Sequence, residues 1–373
     1  MKICILSMQD VANIGSLLQA YALKQILTEE GNSVKFLHIQ PIAEDNNLMT
    51  SVGYSFADEM GGSKNLFVRL KKLDRYSLYY IKNKKMEHTE AAIMDEFRKT
   101  YFTNASADEQ FDLCIIGSDE VFNCTQPSPW GFTTQLFGNV PQARKVITYA
   151  ACCGTTKDTD LTSAVKQRIK GSLSKLLALS VRDKNTFKFV KNITGRTDIE
   201  HHLDPVFITD FSKEISKSSV AGRLPEKYCI IYSYSNRIHN KEEIRNILTF
   251  CKRHKLVPIC VGLGQKWISH TYALNPFEVL WPFKNASFVI TDTFHGTIFS
   301  AKYAKKFAVI IRKSNENKLG DLVDTIEVRD HVLENGNTLE NLYLLNNNFA
   351  RIKAISDSER ARSVSYLMKY LNQ

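Results

Sequence analysis

The residues best suited to chemistry lie in Thr291-Asp292-Thr293-Phe294-His295-Gly296-Thr297. They follow the apolar, β-branched run Phe288-Val289-Ile290, which reads as a buried parallel strand. Ile298, Ala301 and Ala304 come next at helical spacing, so the stretch reads as strand, tight turn, helix. His295 then stands at the C-terminal end of a strand, where open α/β sheets place their ligands. Gly296 and Thr297 would offer free backbone N–H groups at a helix start, and these suit an anion. A histidine over an anion pocket can serve as general acid, general base or phosphate ligand. The same histidine could instead cap a helix or pack in the core.

Other junctions carry polar residues at equivalent places. Asn13, Gly15, Ser16 and Gln19 lie between a strand at Lys2–Met8 and a helix from Leu17 to Glu30. Ser118, Asp119 and Asn123 follow the buried run Phe111–Ile116 through Gly117. Asn, Ser and Asp are also favoured near helix starts for capping alone. Arg182 follows Leu179-Ser180-Val181. It is either paired with Asp183 or another nearby acid, or kept for an anionic ligand, whose oxygens its planar fork would match. Arg312, Lys313 and Lys318 follow a further strand at Lys306–Ile311.

These junctions need a framework of alternating strands and helices. Lys2–Met8, Leu17–Glu30 and Val34–Ile39 form a βαβ start, with Gly31 and Asn32 ending its helix. Residues 1–212 read as one α/β domain. Lys213–Glu226, rich in Ser, Lys and Gly, reads as a linker, and residues 227–355 read as a second α/β set. Ser356-Asp357-Ser358-Glu359 has the form of a capping box opening a last helix over 356–373.

Composition narrows the classes. A chain of 373 residues with 43% hydrophobic and 24% charged residues is that of a soluble globular protein of two domains. No apolar run reaches the roughly 18 residues needed to cross a bilayer, and Met1–Met8 is too short for a secretory segment, so a cytoplasmic protein is expected. The eight cysteines are scattered in apolar runs without a C-x-x-C pair, the pattern of reduced core thiols. No ligand cluster for a metal is visible. Of the net charge of +10, the stretch Lys64–Lys85 supplies +7. It reads as an amphipathic basic helix within an insertion over 63–88, able to meet anionic headgroups or a phosphorylated carrier, or simply as a solvated face. The patch is short and no nucleic-acid module accompanies it, which argues against a nucleic-acid partner.

The junction motifs, taken in order, resemble the polysaccharide pyruvyl transferase family. The matching residues are Asn13-Ile14-Gly15-Ser16-Leu17-Leu18-Gln19-Ala20-Tyr21-Ala22-Leu23, Gly117-Ser118-Asp119-Glu120-Val121-Phe122-Asn123, Tyr149-Ala150-Ala151, Ser180-Val181-Arg182-Asp183, Leu203-Asp204-Pro205 and Thr291–Thr297. The resemblance implies two Rossmann-like domains facing a central cleft, as in the GT-B arrangement, with the C-terminal helix packing back. It also implies transfer of a pyruvyl group from phosphoenolpyruvate to sugar hydroxyls of a surface polysaccharide precursor, giving a ketal with no cofactor or metal. The acceptor could be lipid-linked, with membrane contact through 64–85. By the same resemblance, His295 matches the family's histidine at the donor site and Arg182 a basic residue for the donor's anionic groups. Ser118, Asp119 and Asn123 match a loop facing the acceptor. Thr293 departs from the pattern, since an arginine often stands there, and Arg312, Lys313 or Lys318 could compensate. A nucleotide-sugar glycosyltransferase and a non-catalytic subunit of a polysaccharide assembly system are the alternative functions.

Overall fold

The computed structural model describes residues 1–49, 86–125, 128–262, 264–334 and 336–371. The basic stretch 64–85, expected as an amphipathic helix, lies outside them.

The first half is a parallel sheet. β1 (Lys2–Leu6), α1 (Ile14–Glu29), β2 (Ser33–Phe36) and α2 (Ala43–Met49) open the chain. They are followed by α3 (86–101), β3 (Phe111–Ile116) and β4 (Ala143–Thr148). α4 (Ser163–Leu173), β5 (Leu179–Val181), α5 (Lys184–Thr194) and β6 (Ile199–His201) complete it. The strand order is β2-β1-β3-β4, and single bridges from Ile147 to Ala178 and from Ala151 to Val181 carry it on to the β5–β6 pair. Every strand pair is parallel, and the central strands are buried on both faces, as their continuous apolar runs require.

Two short helices, α6 (Pro205–Ile208) and α7 (Ser212–Ser216), lead to the second half. The segment expected as the interdomain linker holds most of α7 and a further short helical turn at Ala221–Arg223, with Ile215 and Val220 buried. The second half holds β7 (Tyr228–Tyr232), α8 (Lys241–Arg253), β8 (Val257–Val261), β9 (His270–Tyr272), α9 (Leu280–Asn285), β10 (Phe288–Thr291), α10 (Phe294–Tyr303), β11 (Phe307–Val309), α11 (Glu316–Thr325) and α12 (Leu339–Leu344). Its parallel sheet runs β11-β10-β7-β8-β9. Both halves are thus doubly wound α/β units, as the alternation of elements implied.

The last helix, α13 (Phe349–Leu371), starts seven residues before the expected capping box. Asn348 makes the start, accepting from the Arg351 amide at 3.1 Å. Ser356 lies inside the helix and donates instead to the Phe207 carbonyl at 2.9 Å. α13 packs back on the first half, where Tyr366 donates to the Thr148 carbonyl and Ser363 meets the Tyr149 hydroxyl.

The halves share one core. Tyr21 of α1 and Phe97 of α3 meet Phe277 at ring-centroid distances of 4.9 and 5.0 Å. Lys318 of α11 pairs with Glu120 across the divide, and Lys184 pairs with Asp321 at 2.7 Å. Among the described residues, no helix is long and apolar enough to cross a membrane.

Candidate active site

In each sheet the strand order reverses beside the first strand, between β1 and β3 and between β7 and β10. The loops leaving these strands are where doubly wound folds bind ligands. Here the two sets face each other. Ala12, Asn13 and Ile14 from the first half meet Tyr232, Ser233, Tyr234, Thr293 and His295 from the second around a cavity of about 40 Å³, with Met94 of α3 and Gly262 at its edge.

His295 sits in the first turn of α10. Thr293 caps that helix, its hydroxyl accepting from the Gly296 amide at 3.0 Å. The imidazole crosses to the other half and lies on Gly15 of α1: a Cβ there would sit 2.1 Å from His295 Nδ1. His295 Nε2 points inward, 3.5 Å from Asp204 Oδ2. At that distance it is an ion-pair contact, and the buried Nε2 has no hydrogen-bond partner.

Asp204 is the hub of the site. Its Oδ1 accepts from the Val206 amide at 3.0 Å, capping α6. Its Oδ2 accepts from Arg182 Nη1 at 2.9 Å and from the Ser118 hydroxyl at 3.2 Å. Burial opposes its charge, but His295 and Arg182 outweigh it, and the carboxyl is held down to about 2. Arg182 is buried, with its guanidinium 4.0 Å over the Phe294 ring and 3.6 Å from Asp119. Asp119 in turn accepts from the Ser16 hydroxyl at 2.6 Å. A single polar chain therefore runs from α1 through Asp119, Arg182 and Asp204 to His295. Opposite charges alternate along it, so each buried charge is compensated.

The residues expected at the site divide three ways. His295, Gly15, Ser16, Asp119 and Arg182 come together. Asn13 lines the cavity while capping α1, its Oδ1 accepting from Gly15 and Ser16 amides at 2.8 and 3.2 Å. The others have internal duties. Gln19 is fully buried, donating to the Ser7 hydroxyl at 2.6 Å and accepting from the Ser118 amide at 3.1 Å. Ser118 is buried beside it. Asn123 bonds Glu120 at 2.7 Å and takes the Thr156 hydroxyl.

The expectation of free amides at Gly296 and Thr297 is corrected. The first is taken by the Thr293 hydroxyl, and the second by the Thr293 carbonyl at 3.0 Å. A cap that satisfies the helix start removes the donors an anion would need. The site cations expected near the donor are also reassigned. Arg312 is clamped by Asp292 at 2.5 Å and Glu243 at 2.6 Å. Lys313 is exposed. Lys318 faces the seam, paired with Glu120.

Sequence inspection missed three residues. Asp204, although inside the Leu203-Asp204-Pro205 motif, reads as an ordinary acidic cap before a proline at the first helical position. Tyr234 lines the cavity, and Arg237 stacks over its ring at 5.0 Å while donating to the Ser314 hydroxyl at 3.0 Å. Both follow β7 in a polar loop whose composition suggests only a turn.

The arrangement favours a definite protonation pattern. A buried carboxylate facing Nε2 stabilises the tautomer with its proton there, leaving Nδ1 basic beside α1. The dyad can therefore take a proton from a hydroxyl and hold the resulting positive charge. A second, larger groove of about 740 Å³ is lined by Phe97 and Tyr101 of α3 and by Tyr272 and Arg223.

Solved structures similar to the chain include a Methanocaldococcus jannaschii UDP-GlcNAc 2-epimerase, at 12% identity and a TM-score of 0.46, with 100% of this chain and 99% of that one covered. A ugt transferase from Siraitia grosvenorii is 9% identical with a TM-score of 0.43, each chain covered in full. A glycosyltransferase of Streptomyces sp. is 8% identical with a TM-score of 0.44, again with both chains covered in full. No curated protein matches the chain. The sequence pattern described as polysaccharide pyruvyl transferase matches residues 13–314, a span that runs from the cap of α1 past His295. The chain belongs to the polysaccharide pyruvyl transferase family.

Proposed function

We propose that this protein transfers the pyruvyl group of phosphoenolpyruvate to two hydroxyls of a polysaccharide precursor, forming a cyclic ketal and releasing phosphate. The observation that carries the reading is the His295–Asp204 dyad, held where the switch points of both sheets meet, in a chain of this family. The reaction needs a base for a hydroxyl proton, and a histidine backed by a buried carboxylate is such a base. Help of this kind is worth about 10²–10⁴-fold.

The donor carries two anionic groups. With Thr293 used as a helix cap, and Arg312 and Lys318 neutralised by acids, Arg237, stacked on Tyr234 at the cavity, is the cation we assign to the donor. Arg182 acts behind the site, fixing Asp204.

The test is calorimetry and thermal denaturation with phosphoenolpyruvate and with UDP-sugars, followed by phosphate release on a panel of saccharides. A ligand at a hundredfold excess over its Kd stabilises by about 2.7 kcal/mol. Phosphoenolpyruvate should stabilise wild type and His295→Ala alike, with phosphate release lost only in the variant. Stabilisation by UDP-sugars alone would refute pyruvyl transfer in favour of glycosyl transfer.

A further inference from the structure

Two of the residues around the small cavity keep a buried side-chain polar atom without a hydrogen-bond partner. One is His295, whose Nε2 faces Asp204 only at ion-pair distance. The other is Ser233, which has no part in the polar chain. Ser233 directly follows β7, at the switch point of the second sheet. It is only 4% exposed, it lines the cavity with His295, and its Oγ is unpartnered among the described residues. Such a group is uncommon, because a hydroxyl taken from water without a partner is costly. Thr293 shows the contrast. It lines the same cavity, but its Oγ1 is committed to the Gly296 amide at 3.0 Å and to the Thr291 hydroxyl at 3.2 Å. Ser233 is also firmly placed. Gln265, itself buried, donates to the Ser233 carbonyl at 3.5 Å and to the Tyr234 carbonyl at 2.8 Å, while the Thr291 hydroxyl donates to the Tyr232 carbonyl at 2.8 Å. The backbone on both sides of Ser233 is therefore held, and its hydroxyl is left for a ligand.

We propose that Ser233 binds the carboxylate of the donor, its hydroxyl donating to a carboxylate oxygen and so turning the pyruvyl unit toward His295. The proposal rests on the pyruvyl-transfer reading. The size of the cavity selects this group. A water needs about 10–15 Å³ of such volume, so a cavity of about 40 Å³ holds roughly three groups of that size. A carboxylate fits that space, and a bulkier phosphate does not. The phosphate then stays outside, on the side of Arg237, which stacks over the exposed Tyr234. Ala12, Ile14 and Met94 make the remaining wall apolar, which suits the methylene carbon C3 of the donor.

A hydroxyl can fill this role without a second cation. An O–H that donates to a charged oxygen makes a short bond, roughly twice as strong as one between neutral groups. In affinity such a bond contributes about 10–100-fold. It also orients the donor. With the carboxylate at Ser233 and the phosphate toward Arg237, the reacting carbon C2 is held between two fixed points. An enol phosphate that lacks the carboxylate gains nothing from Ser233.

The test has two readouts. The first is thermal denaturation without ligand. Ser233→Ala removes a buried hydroxyl that bonds nothing in the protein, so its Tm should equal or exceed that of wild type. The second is calorimetry with phosphoenolpyruvate and with vinyl phosphate, the enol phosphate without a carboxylate. Ser233→Ala should weaken phosphoenolpyruvate by about 10–100-fold and leave vinyl phosphate within about twofold. A wild type that does not bind phosphoenolpyruvate refutes the pyruvyl-transfer reading, and this proposal with it. A wild type that binds it, with a Ser233→Ala variant of unchanged affinity, refutes the role of Ser233 alone. Equal losses for the two compounds, or a wild type that binds both equally well, refute the carboxylate as the group held. A Tm several degrees below wild type would show that the hydroxyl serves the fold instead.

Discussion

Gly15→Ala separates a helix effect from a site effect. Gly15 lies in the first turn of α1, and its amide bonds Asn13. Alanine there keeps that bond, and the change favours the helix by about 0.5–1 kcal/mol. The new Cβ, however, would sit 2.1, 2.3 and 2.7 Å from Nδ1, Cγ and Cε1 of His295. Real Cβ contacts essentially never fall under 3.0 Å, so the ring or the whole of α10 must retreat by about 1 Å. Overpacking of this kind costs about 1–3 kcal/mol, which outweighs the propensity gain. A histidine displaced by 1 Å also costs about 10²-fold in rate. The assay is a double-mutant cycle by chemical denaturation with Gly15→Ala, His295→Ala and both. In the His295→Ala background the obstacle is gone, and Gly15→Ala should become neutral or stabilising. The coupling between the two should therefore exceed about 1 kcal/mol, within the range for residues in contact. If Gly15→Ala stabilises wild type and its double variant equally, the imidazole does not rest on α1 and the closed geometry is wrong.

Asp204→Asn should be strongly destabilising, by about 3–5 kcal/mol, because it leaves the Arg182 charge buried with only the longer Asp119 contact. A loss under 1 kcal/mol in urea denaturation would show that the pair is not essential to the fold. The same carboxyl sets an acid limit. Its folded value of about 2 lies below its ordinary 3.8, so its stabilisation is present above about pH 4 and lost as pH falls toward 2. At about 1.4 kcal/mol per unit this contributes roughly 2 kcal/mol, which Asp204→Asn should abolish in the difference between pH 5 and pH 2 melting curves.

Much of the framework was readable before any tertiary information. The apolar runs at Ile3–Leu6, Leu113–Ile116 and Phe288–Ile290 can only be strands buried on both faces. The helices between them then impose parallel, doubly wound sheets. The placing of His295, Asn13 and Asp119 at strand outlets follows from that, because the outlet is a matter of local order along the chain. The same local logic failed at α13. Ser356–Glu359 has the form of a helix start, but helix starts compete, and Asn348 caps the chain earlier.

What each outlet residue does was decided only by the tertiary structure. Capping, core satisfaction and ligand binding draw on the same residue types, and sequence spacing does not distinguish them. Gln19 and Ser118 satisfy each other inside the fold, and Gly296 and Thr297 have their amides taken by Thr293. The contacts that make the site span long stretches of chain: Arg182 to Asp204, Asp204 to His295, and His295 to Gly15. The sequence by itself determined the two sheets and which loops must face a ligand. Only the closure of one half on the other decided which polar groups are neutralised and which are left to act, because charge compensation and desolvation depend on neighbours brought together by folding.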